Sequence, residues 1–164
     1  MKSFSEIDTT VKRASKSIGF EWGVAEELGK NIRLLEMFGL AGLKNLNSYF
    51  KIYNQKQFQK ISLISKINTS NIAYCPIISG TNFLDQVINL EKMDEINFEN
   101  MAYPLLFLPF VSRATEIIGK RIFLNINEKS KARKIFKDKG VTMIPIVKKN
   151  MIIASIIKIT DLIN

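Results

Sequence analysis

Histidine is absent from the 164 residues and cysteine occurs once, at Cys75. These two shortages exclude a wide range of chemistry. Without an imidazole there is no Ser-His or Cys-His nucleophile pair, no His-ligated zinc, no iron facial triad and no histidine proton shuttle. One thiol builds neither an internal disulfide framework nor a thiolate zinc cluster, and it agrees with a reducing compartment. Proline is also scarce at four residues, and Pro104 and Pro109 interrupt the longest apolar run, Met101 to Val111. That run is far short of the ~20 residues needed to span a bilayer. The first residues carry an early acid, Glu6, and lack the apolar centre of a signal peptide. A cytoplasmic protein without membrane association is expected.

What remains available is limited. Acid–base chemistry falls to Asp, Glu, Lys, Tyr or Cys, with a pKa moved by burial. A metal, if held, would be a hard cation such as Mg²⁺ on carboxylates, and no metal site or cofactor is assigned. The formal charge of +9 invites a nucleic-acid reading. However, the excess is mostly lysine in a chain also rich in Ile and Asn, residues whose codons are AT-rich, so genome composition accounts for it without an anionic partner. A chain of this length buries roughly 70% of its unfolded surface and fits one domain over residues 1–164.

Hydrophobic spacing supplies the architecture. Ser3 and Glu6 form a capping box, and Phe4, Ile7, Val11, Ala14 and Ile18 recur at helical spacing up to Gly19. A second helix is predicted from Trp22 to Phe38, with Val24, Leu28, Ile32 and Leu35 facing the core. A third is predicted from Leu40 to Tyr53, with Gly39 and Gly42 breaking the chain before it. Residues 55–80 are ambiguous, because short apolar runs do not distinguish helix from strand. Ile72 to Ile78 reads as extended, Ser79-Gly80 as a turn, and Thr81 or Asn82 as the cap of a short helix carrying Leu84, Val87 and Ile88 on one face. A further helix should end near Gly119. The last third reads as strands: Arg121 to Ile126, then Val141 to Val147 and Met151 to Ile159 as a hairpin across Lys148-Lys149-Asn150. The fold class is therefore α+β: a bundle of about three helices, a mixed region, and a C-terminal antiparallel β portion.

Two places carry candidate site residues. On the second helix, Glu26, Lys30 and Arg33 fall opposite the apolar stripe as an exposed ion ladder, whereas Glu27 and Asn31 fall at the border of the buried face. Glu27 is the better candidate acid or base, with Lys30 as a further catalytic candidate and Trp22 and Asn31 as ligand contacts; a solvated boundary carboxylate and a core tryptophan are the plain alternatives. The second place is Tyr74 to Thr81 followed by Asp85. There a Ser79-Gly80 turn with Thr81 would offer backbone N–H groups to an anion, and Asp85 would act as a catalytic acid or ligand in the first turn. An ordinary strand-to-helix turn is the alternative. Cys75 lacks any identifiable base and reads as a small buried residue. Arg113 pairs on paper with Glu116, or binds a carboxylate or phosphate if it faces a cleft. The basic segment Lys129 to Lys139, with Phe136 as its one aromatic, reads as a solvated face.

The Gly-Phe-x-Trp-Gly-x-Ala-Glu-Glu-x-Gly-Lys block at Gly19 to Lys30 resembles a bacterial family known only as a domain of unknown function. Cys75 to Gly80 and Pro104 to Pro109 look similar to its later blocks, which would extend the likeness over residues 4 to 126. The resemblance implies that these blocks belong to one unit and carries no activity. The residues favour a small-molecule binding protein for an anionic metabolite, or an accessory subunit. A histidine-free lyase or hydrolase using a buried carboxylate with Lys or Arg is the alternative, and binding of nucleic acid through the basic surface is a third reading. Homo-oligomerisation through the C-terminal strands is also expected.

Overall fold

The computed structural model describes residues 3–54, 57–127 and 156–161. Among the described residues, five α-helices and four short strands make an α+β fold in which helix dominates. α1 (Phe4–Ser17) begins at Ser3, whose N–H donates to Glu6 Oε2 at 2.7 Å while Glu6 N–H donates to Ser3 Oγ at 3.2 Å. It buries Ile7, Val11 and Ser15 and leaves Phe4 half exposed, so the buried stripe runs at a spacing of four. Gly19, at φ 104°, turns the chain into α2 (Trp22–Met37), and Gly39, at φ 70°, turns it out again. These are positions where a left-handed backbone favours glycine.

α1 lies along α2 at close range. A side chain at Gly29 would collide with Asp8 and Lys12, so a small residue there is what lets the two helices approach. α3 (Gly42–Tyr53) follows. Gly42 was expected to break the chain but instead opens this helix, buried against Leu35 of α2.

The second helical region departs from expectation. α4 runs from Pro76 to Leu90, so Ser79, Gly80 and Thr81 are helical and form no turn. The helix starts early for two local reasons. Pro76 occupies the first position, where its fixed φ suits a helix and its missing N–H costs nothing. Cys75, held extended by the following proline, caps the helix by accepting from Ile78 N–H at 3.4 Å. Gly80 is tolerated inside the helix because Phe110 packs against its bare Cα. The buried face is Pro76, Ser79, Gly80, Phe83, Val87 and Leu90, whereas Ile88, expected on that face, is 60% exposed.

β1 (Ile67–Asn68), α4 and β2 (Glu95–Glu99) form a parallel crossover, with Ile67 opposite Asn97. The sequence reading missed β2, although Glu95-Ile96-Asn97-Phe98-Glu99 alternates at period two and buries Ile96 and Phe98. Parallel bridges from Tyr74 to Gln59 and to Met101 continue this pairing beyond the strands. A 3₁₀ turn at Pro104–Leu106 leads into α5 (Leu108–Ile118), which Gly119 closes at φ 66°. β3 (Ile122–Asn127) and β4 (Ile156–Asp161) pair antiparallel, and β4 also pairs antiparallel with β2. The sheet order β1-β2-β4-β3 is thus mixed, and β4 lies inside it. The basic segment at 129–139 and residues 141–155 of the Val141–Ile159 hairpin, whose strands were expected to carry homo-oligomer contacts, lie outside the described residues.

The core joins the helices to the sheet through Leu28, Ile32, Tyr49, Ile77, Phe83, Phe98, Phe107 and Phe110, all nearly inaccessible. Among the described residues, no helix is long and apolar enough to cross a membrane.

Candidate functional site

An ion cluster forms where α2 meets α5. Glu27 lies at the border of the buried face of α2, and its side chain is 25% exposed. Lys30, one turn on, places Nζ 3.0 Å from Glu27 Oε1. Arg113, on α5, brings Nη1 against Glu27 Oε2. Both contacts correct the expected pairings. Lys30 pairs with Glu27 rather than Glu26, and Arg113 reaches across to α2 instead of pairing with Glu116 on its own helix. Helical spacing forecasts neighbours within one helix, but only the packing of α5 on α2 decides between Glu27 and Glu116. One carboxylate against an ammonium and a guanidinium leaves the group with a formal charge of +1.

Asn31 sits one turn beyond Glu27 on the same side of α2 and is 1% exposed. Ser79 of α4 is 0% exposed and precedes Gly80, whose bare backbone receives Phe110, itself one turn before Arg113 on α5. α2, α4 and α5 pack pairwise on one another, and Asn31 and Ser79 lie on the buried faces of α2 and α4. Among the described residues, Asn31 Nδ2 and Ser79 Oγ have no hydrogen-bond partner. Other polar side chains in this chain show what such groups ordinarily do. Ser15 Oγ and Thr81 Oγ1 donate to the carbonyls four residues back, at 2.7 and 3.0 Å, and Asn68 Nδ2 donates to the carbonyls of Ser65 and Asn97 at 2.7 and 2.9 Å. Leaving a buried polar group unpaired costs about 1–3 kcal/mol, which makes two such groups on helices that pack together a feature that calls for a reason.

The remaining candidates are not gathered there. Thr81 uses its hydroxyl on Ile77 O. Asp85 is exposed and on the side of α4 away from the buried face, well past the first turn in which it was expected. Trp22 opens α2 with its side chain 55% exposed, so the core reading of the single tryptophan does not hold.

A second cluster escaped the sequence reading. Tyr49 Oη and Cys75 Sγ share a hydrogen bond of 2.9 Å inside an aromatic group formed by Tyr49, Phe50, Tyr53, Phe58 and Tyr103. Tyr103 takes a left-handed backbone at φ 42°, which is uncommon outside glycine, and stands edge-on to Tyr49 at 5.7 Å. Burial pushes the Tyr49 hydroxyl far above its ordinary range, and the neighbouring Cys75 adds to that. Burial also raises the Cys75 thiol, against the lowering effects of Tyr49 and the Ile78 and Ile77 N–H groups. A buried thiol held protonated is poorly suited to nucleophilic attack. The aromatic spacing Tyr49, Phe50, Tyr53 and Phe58 was the available signal, but the partner at Tyr103 is brought by the tertiary fold. Among the described residues, no group of three or more Cys, Asp and Glu side chains is placed to hold a metal ion.

No curated protein and no solved structure matches the chain. Residues 2–75 match the model of a family described as protein of unknown function (DUF3726), a stretch that contains the Gly19 to Lys30 block and ends at Cys75, before the Pro104 to Pro109 segment.

Proposed function

We propose that the chain binds a small anionic metabolite at the junction of α2 and α5, in the cytoplasm, with Arg113 and Lys30 as the cationic contacts. The observation that carries this reading is that cations from two separate helices converge on one carboxylate and leave a surplus positive charge. The planar fork of Arg113 suits a carboxylate or phosphate, and Glu27 holds both cations in place when no ligand is present. The bland alternative is an ion pair that only ties the helices together.

Ligand binding to the folded state alone raises its stability, so a thermal-shift series with short carboxylates and inorganic phosphate tests the proposal. The melting temperature of the wild type should rise with ligand concentration, and Arg113→Gln should lose that rise. Equal responses from the two proteins remove Arg113 from any binding site. Loss of the rise in high salt, with no dependence on the identity of the anion, would indicate only general screening of the basic surface.

A further inference from the structure

We infer, resting on the anion-binding reading above, that Asn31 and Ser79 supply a second contact in that site, and that the ligand is a short monocarboxylate bearing an uncharged oxygen acceptor. Two buried donors outside the ion cluster lead here. Asn31 Nδ2 and Ser79 Oγ are buried and, among the described residues, unpartnered. Ser79 also leaves unused the bond to the carbonyl four residues back that Ser15 and Thr81 both make. An amide N–H and a hydroxyl both donate to an oxygen, and because they bring no positive charge to offset the desolvation of a second anionic group, a ketone or hydroxyl oxygen is the acceptor they suit.

The charge of the junction agrees with that choice. Lys30, Arg113 and Glu27 sum to +1, which one carboxylate neutralises and a phosphate dianion overfills. Spacing sets the size of the molecule. Asn31 lies one helical turn from Glu27, so the two oxygen-bearing ends of the ligand stand ~5.4 Å apart, the pitch of an α-helix. A chain of about five carbons with a keto oxygen near its far end meets that requirement.

The test compares 4-oxopentanoate with pentanoate, which has the same length and charge but no second oxygen, and with succinate and inorganic phosphate. Affinity is read by calorimetry on the full chain. The keto acid should bind roughly tenfold or more tightly than pentanoate, because a site built to donate hydrogen bonds disfavours the analogue that leaves its donors unpaired. Succinate and phosphate should bind more weakly than the keto acid. Ser79→Ala and Asn31→Ala should each reduce the keto acid towards the affinity of pentanoate while leaving pentanoate unchanged. Should either variant fail to fold, the comparison of the two ligands on the wild type decides the matter. Equal binding of the two acids, both lost in Arg113→Gln, overturns the second contact and keeps the anion site. Binding of neither acid, or binding indifferent to Arg113→Gln, overturns the anion site itself. An ordered water between Asn31 and Ser79 that persists with ligand bound also overturns the second contact.

Discussion

Arg113 and Glu27 join α5 to α2 through a contact that neither helix forecasts alone, and Lys30 completes it from the next turn of α2. The pair is partly exposed, with side chains 36% and 25% accessible, so its contribution to stability is modest. A double-mutant cycle with Arg113→Gln and Glu27→Gln, followed by urea unfolding, should give a coupling energy of about 0.5–1 kcal/mol. A coupling of zero would mean that the contact does not tie the helices in solution.

Gly80 and Gly23 should respond to alanine with opposite signs. A methyl group at Gly80 meets the ring of Phe110, whereas one at Gly23 meets nothing within 4 Å. Gly80→Ala should destabilise by about 1–3 kcal/mol through overpacking. Gly23→Ala should leave stability unchanged or raise it by up to about 1 kcal/mol, since alanine is the better helix former. Denaturant midpoints measured side by side check both signs, and a neutral Gly80→Ala would show that α4 and α5 separate easily.

Stability should fall in alkali. Tyr49 and Cys75 are neutral when protonated, and burial raises the pKa of both. The unfolded chain therefore releases their protons first, beginning at roughly pH 8.5–10, where free thiols and phenols titrate. In that window the native state binds more protons than the unfolded state, and linkage makes the unfolding free energy decrease as pH rises. Below the window the contribution is fully present. Tyr49→Phe should flatten part of the decline seen in chemical denaturation between pH 8 and 11, and an unchanged slope would remove Tyr49 as its source.

Ser3 should behave as a cap. Its hydroxyl accepts from Glu6 N–H at the start of α1. Ser3→Ala should cost about 1 kcal/mol, while Ser3→Asp should retain most of the stability. Thermal melts distinguish the two, and equal losses would show that the cap geometry contributes nothing.

Local physics alone determined several features. The capping box, the apolar stripes and the left-handed glycines Gly19, Gly39 and Gly119 made α1, α2 and the end of α5 legible, because each depends on residues within a turn of one another. The helix wheel likewise placed Glu27 at the edge of the buried face, whereas Asn31, expected at that edge, lies inside it. By contrast, the start of α4 was misjudged because Ser79-Gly80 resembles a turn until Phe110 fills the space beside the glycine. β2 was passed over because five alternating residues become a strand only when β1 and β4 pair with them.

The same division runs through the candidate site. Residue types and their spacing nominated Glu27, Lys30, Asn31, Ser79 and Arg113, and the lack of histidine settled which acid–base chemistry is closed to the chain. Only the tertiary fold decided that Arg113 meets Glu27, that Ser79 is buried with no hydroxyl partner among the described residues, and that Asp85 faces away. The physical reason is range. Helical periodicity reports which side of an element is apolar, whereas the partner of a charge across two helices depends on how those helices pack.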